Sequence, residues 1–145
     1  MSTNSADTVI KNHLTYNLQS WSKQGNLKPI AVEKSDGIYF WDYDGNRYTD
    51  MSSQLVNMNL GHGNQAIVNA IKEQADKFCF MGPSYAVESR GKLAKKIVEL
   101  LPDNIEKVFF TNAGADANEN AIKMAKLFTG RQKIFSRYRS YHGSS

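Results

Sequence analysis

Cysteine is nearly missing from this 145-residue chain: Cys79 stands alone. A single thiol excludes any intramolecular disulfide and suits a reducing compartment, so a cytoplasmic protein is expected. Within Lys77-Phe78-Cys79-Phe80-Met81 the residue reads as a small hydrophobe. Long apolar runs are missing too. None approaches the roughly 20 residues a membrane-spanning helix needs, and no charged-then-apolar leader pattern is present, so no membrane association is expected. Charge of one sign is scarce: 18 basic against 14 acidic residues give a net +4. The densest basic stretch is Arg131, Lys133, Arg137 and Arg139, with no nucleic-acid-binding module around it, so no nucleic-acid partner is expected. The phosphate signatures GxxxxGK(S/T) and GxGxxG are absent, as are internal repeats and low-complexity segments.

What is present is the composition of a globular domain, 41% hydrophobic and 22% charged, in a chain long enough for one sizeable core. The most informative stretch is Lys107 to Gly130. It opens on Val108-Phe109-Phe110, of strand type, and turns through Asn112-Ala113-Gly114-Ala115. It then changes period, with Ala117, Ala121, Met124, Ala125 and Phe128 on one helical face. Gly130 is the expected stop. Strand, tight glycine turn and helix make an anion site, because the first helical amides lack internal partners and carry the positive end of the dipole. An ordinary strand-to-helix connection, with small residues serving only packing, explains the same letters.

In chain order, Thr8 to Trp21 reads as a helix broken by Gly25, Asn26 and Pro29. Ile38–Trp41 and Arg47–Thr49 read as a β-hairpin turned by Asp44-Gly45. Asp50–Gly63 mixes Ser, Gln and Asn with Leu55, Val56, Met58 and Leu60, which suits either a pocket wall or a strand with one polar face. His62 has no partner motif and reads as structural. Asn64 caps a helix carrying Ile67, Ile71, Ala75 and Phe78. Gly82-Pro83-Ser84 is a loop, and Glu88–Leu101 is an amphipathic helix ended by Pro102. Lys133-Ile134-Phe135 reads as a second strand, parallel to the first, in an α/β layer. Two parallel strands make a poor sheet, so the chain reads as the opening of something larger.

Six segments in register carry a resemblance: GIYFWDYDGNRYTD, SSQLVNMNLGH, AIVNAIKEQA, KLAKKIVELLP, FFTNAGADANENAIKMAK and the TGR with the following YHG. Together, over roughly Pro29 to Ser145, they resemble the class III pyridoxal-phosphate-dependent aminotransferases of fold type I. The look is closest to taurine–pyruvate and related ω-aminotransferases. The resemblance implies an α/β fold. Residues 1–60, a helix plus a β-hairpin, would belong to the small domain. Residues 61–145 would open the large domain, a parallel or mixed sheet flanked by helices, and would be truncated.

It also implies roles. The backbone amides of Gly114 and Ala115, beside Ala113, would hold the phosphate of pyridoxal 5'-phosphate. The family loop usually carries serines where Ala113 and Ala115 stand, which implies weaker rather than abolished binding. Tyr141 would stack on the cofactor ring, with His142 positioning it. Leu55 and Val56 would line the substrate pocket. Gly82, Pro83 and Ser84 would reach the partner's site in a homodimer. The implied reaction moves an amino group from an amine or amino acid to a 2-oxo acid. The family's reactive lysine and the carboxylate facing the pyridine nitrogen match no residue here, so no catalytic residue is assigned and the chain alone is expected to be inactive. A half of a split enzyme with a complementing chain, a non-enzymatic interaction domain, and a simple phosphate- or nucleotide-binding α/β domain are the alternatives. No metal site is expected.

Overall fold

The computed structural model describes residues 5–143. They divide into two compact units, one up to Phe80 and one from Met81 on.

In the first unit, helix α1 (Ala6–Tyr16) begins at Ser5, whose Oγ accepts from the Thr8 amide. It stops earlier than the apolar spacing predicts, leaving Leu18 and Trp21 beyond it. The reason is local. Asn17 turns to extended backbone, and the His13 ring bonds the side-chain amides of Asn17 and Gln19, which competes with helix continuation. A single 3-10 turn follows at Gln24–Asn26.

The three strands β1 (Val32–Asp36), β2 (Tyr39–Asp42) and β3 (Arg47–Thr49) form one antiparallel sheet in that order. The expected hairpin is β2–β3, with Gly45 at φ 83° in its turn. Its Phe40 and Tyr48 are paired in register and stack with centroids 5.0 Å apart. Asp42, 7% exposed, knots the turn. It accepts hydrogen bonds from the Asp44 and Asn46 amides, the Asn46 side chain and the Tyr48 hydroxyl. Those donors, Asn46 first, hold its carboxyl below the ordinary value against the opposing cost of burial. β1 was not anticipated. It is exposed throughout and rich in charge, with an irregular register between Val32 and Lys34, features of an edge strand. The Lys34 ammonium lies over the Trp41 ring of β2.

After β3 comes α2 (Ser53–Val56), a single turn described below, then α3 (Gln65–Lys77). Asn64 caps α3 as expected, accepting from the Ala66 and Ile67 amides.

The second unit holds α4 (Glu88–Val98) and α5 (Gly114–Thr129). α4 ends three residues short of the expected Leu101. Leu100 and Leu101 instead donate to the carbonyls of Ile97 and Val98, a tightened terminal turn before Pro102. α5 ends at Gly130, as expected, in left-handed backbone at φ 68°. The two strands expected around α5 do not form: Val108–Phe110 and Lys133–Phe135 make no β ladder among the described residues. A parallel strand needs a neighbour along its whole length. Neither run has one, and the Phe135 side chain is 91% exposed.

Candidate functional site

The expected site residues fall in both units. In the first, Leu55 and Val56 belong to α2, which winds the wrong way. Ser53, Gln54, Leu55 and Val56 have φ of 48°, 49°, 58° and 65°. Non-glycine residues enter this region singly, at about 1–2 kcal/mol each, and a β-branched valine there is an outlier. Four in a row are a left-handed helical turn without a glycine.

Surrounding hydrogen bonds hold it. Val56 N–H donates to the Ser52 carbonyl at 3.0 Å, and Asn57 N–H donates to the Ser53 carbonyl at 2.8 Å. The Asn57 side-chain amide reaches the Gln54 carbonyl at 2.8 Å and the Leu55 carbonyl at 3.3 Å. At the entry, Asp50 Oδ1 accepts from the Ser52 hydroxyl and the Gln54 amide, both at 3.3 Å. Six positions past the turn, His62 Nε2 lies 2.8 Å from Asp50 Oδ2, with the two side chains 11% and 4% accessible. The His62 hydrogen bond first, then Gln54 and Ser52, pulls the Asp50 carboxyl down from 3.8 to about 2 against the cost of burial. The carboxylate is therefore the acceptor and the imidazole N–H the donor.

His62 is in turn anchored to the sheet. It exchanges backbone hydrogen bonds with Gly37, at 2.7 and 3.0 Å, in the turn between β1 and β2. Gly61 makes that approach feasible, because at φ 82° a Cβ there would lie 3.2 Å from the Gly37 carbonyl oxygen. Leu55 and Val56 stand 74% and 73% exposed on this turn. Beside it, Ile30, Val32, Phe40, Gln54 and His62 line a cleft of about 580 Å³. His62 is held on both sides, by Asp50 through its ring and by Gly37 through its backbone. Its partner Asp50 lies twelve positions away, too far for any local pattern to link the two.

In the second unit, α5 opens on Ala113, which supplies no side-chain cap. The first helical bond runs from Ala117 N–H to the Ala113 carbonyl at 3.0 Å, so the amides of Gly114, Ala115 and Asp116 precede the ladder. A Cβ built on Gly114 meets nothing within 4 Å. Three donors without a side-chain cap and open space at the glycine suit a phosphate dianion at the positive helix end, with the Asp116 carboxylate in the first turn as the opposing charge. The Asn118 side-chain amide, one turn along, donates to the His142 carbonyl at 2.8 Å. That bond, which the sequence did not signal, ties the backbone of the Tyr141–His142 segment to the early turns of α5. Tyr141 keeps an exposed ring. Gly82, Pro83 and Ser84 form a turn closed by Tyr85 N–H on the Gly82 carbonyl at 3.2 Å.

No helix among the described residues is long and apolar enough to cross a membrane, and no cluster of potential metal ligands occurs among them.

Known proteins match this chain over most of its length. Residues 21–145 fit the family model described as "Aminotransferase class-III". Isoleucine 2-epimerase of Lentilactobacillus buchneri is 38% identical over 122 residues, 83% of this chain and 27% of that protein. Acetylornithine aminotransferase of Methanothermobacter thermautotrophicus is 31% identical over 138 residues, 95% of this chain and 34% of that protein. Among solved structures, a taurine:2-oxoglutarate aminotransferase from Bifidobacterium kashiwanohense, in complex with PLP and glutamate, is 57% identical with a TM-score of 0.93. The match covers 100% of this chain and 32% of that one. The chain thus spans about a third of the length of the proteins it resembles.

Proposed function

The chain belongs to the class-III aminotransferase family, and from that premise we propose that it forms the cofactor-gripping opening of a pyridoxal 5'-phosphate-dependent transaminase. Residues 1–60 contribute to the small domain and residues 61–145 begin the large one. The observation that carries this reading is the start of α5: three amides ahead of the first helical bond, small side chains on both sides of Gly114, and no side-chain cap.

On this reading the amides of Gly114 and Ala115 bind the cofactor phosphate, with Ala113 leaving the approach clear. Tyr141 covers one face of the pyridine ring, and His142 keeps that tyrosine in place. Leu55 and Val56 face the amine, and the Gly82–Ser84 turn reaches the partner's site in a homodimer. The bound cofactor supplies an electron sink for the charge left on the substrate carbon when its proton departs. The groups that move the proton and pair with the pyridine nitrogen are not among these residues, so the 145 residues alone are inactive. They act within the rest of an aminotransferase or beside a complementing chain. The resemblance to a taurine:2-oxoglutarate aminotransferase at 57% identity, against 38% to the epimerase, favours amino transfer from taurine or a similar amine to a 2-oxo acid. A cytoplasmic setting fits the lone thiol.

The test is a graft. This chain replaces the corresponding third of the Bifidobacterium enzyme, and pyridoxal phosphate binding and taurine-dependent glutamate formation are measured. The graft should bind the cofactor and turn over. Gly114→Val, whose added Cβ meets only open space within the chain, should weaken cofactor binding by roughly a hundredfold, through lost charge-assisted amide bonds. A folded graft whose Gly114→Val variant binds the cofactor unchanged refutes the phosphate assignment.

A further inference from the structure

Most of the polar side chains around α2 serve one geometric end. Asp50 ends the sheet, donating its own amide to the Ile38 carbonyl at 2.8 Å, and its carboxylate joins the entry of the left-handed turn to His62 beyond it. His62 is fixed independently by its two backbone bonds to Gly37. The pair therefore ties the entry of a backbone conformation disfavoured for its own residues, and the segment that follows it, to the end of the sheet. A right-handed or extended path from Asp50 to His62 would direct residues 55 and 56 elsewhere.

We infer that Asp50 and His62 are positioning residues: their hydrogen bond locks Ser53–Val56 in the left-handed turn that presents Leu55 and Val56 to the amine substrate. The lock rests on the geometry of this unit alone, and its use in substrate presentation rests on the transaminase reading above. Neither residue touches the reacting atoms.

Two arms of one experiment separate the lock from its use. In the first, backbone couplings of the isotopically labelled chain report the sign of φ at Leu55 and Val56. The unaltered chain should show positive values. Asp50→Asn and His62→Asn should each lose them while the hairpin signals of Tyr39, Phe40 and Trp41 persist. Adding Leu55→Gly and Val56→Gly to Asp50→Asn should restore the turn, since glycine adopts positive φ without strain. Should Asp50→Asn also disperse the hairpin signals, His62→Asn carries the test, because it leaves the Asp50 bonds to Ser52 and Gln54 in place. Positive φ retained in His62→Asn overturns the lock.

In the second arm, the same substitutions are placed in the graft. Each should raise KM for the amine roughly tenfold with kcat within about twofold, as expected for displaced positioning groups. A lost turn with unchanged KM overturns the role in substrate presentation. A graft without any transamination counts against the transaminase reading instead, and the first arm still decides the lock.

Discussion

The two units solve the same problem in opposite ways. The unit that ends at Phe80 is stitched by its own polar groups. Asp42 collects four donors, Asp50 joins three residues, and His62 bridges back to Gly37. Such networks close locally. The unit that begins at Met81 has two regular helices and two strand-like runs without ladders, and among the described residues it has no such polar knot; the longer helices of both units, α1, α3, α4 and α5, bury no residue. Phe109, Leu127, Phe128 and Phe135 are all exposed. The chain leaves 13106 Å² accessible, where a folded monomer of 16.3 kDa leaves roughly 7,500 Å². Turn chemistry is a short-range property and hydrophobic burial a long-range one, so the first unit is shaped by its neighbours in sequence. The helices of both units are patterned for a cover that these residues do not provide, and only the sheet of the first adds a network of its own.

Hydrogen exchange probes that contrast most strongly. Amides bonded in the sheet, such as Asp42 on the Asn46 carbonyl, should exchange at least roughly a hundredfold more slowly than those of Phe109 and Ile134. Equal protection in both runs would abolish the distinction.

A matched pair of glycine substitutions sharpens it. Gly61→Ala adds a Cβ 3.2 Å from the Gly37 oxygen at φ 82°, and should destabilise the first unit by about 1–3 kcal/mol. Gly91→Ala lies inside α4 with nothing within 4 Å of the added Cβ, and should stabilise that helix by about 0.5–1 kcal/mol. Urea melts read both, and equal signs would contradict the comparison.

Acid gives the smallest effect. The Asp50 carboxyl, ordinarily near 3.8, lies near 2 in the folded chain. A depressed value means the folded state favours the carboxylate. Its contribution to stability is therefore fully present above about pH 4 and is lost as pH falls toward 2. Near-UV circular dichroism of the aromatic sheet should weaken across that window, and Asp50→Asn should flatten the Asp50 part of the response, leaving the part due to Asp42, whose carboxyl is also held below its ordinary value.

How much of this was legible in the sequence follows the same division. The Asp44-Gly45 hairpin, the Asn64 cap, the Gly130 stop and the helical face behind Gly114 all rest on residues within a few positions of one another, and each was readable. β1 was not, because Val-Glu-Lys-Ser-Asp on an exposed edge shows neither alternation nor a hydrophobic run. The left-handed turn was not, because Ser-Gln-Leu-Val contains none of the residue types that advertise positive φ. The Asp50–His62 link spans twelve positions and is created by the hairpin between Gly37 and Asp50. Val108–Phe110 and Lys133–Phe135 have strand composition without the flanking strands that convert composition into a ladder.

The opening of α5 places its donors on the main chain alone. A phosphate held there, as proposed, would owe its main bonds to the backbone rather than to side chains. On the proposed reading, serine hydroxyls at 113 and 115 would strengthen a hold that the amides already make, and bulk at 114 would close the approach.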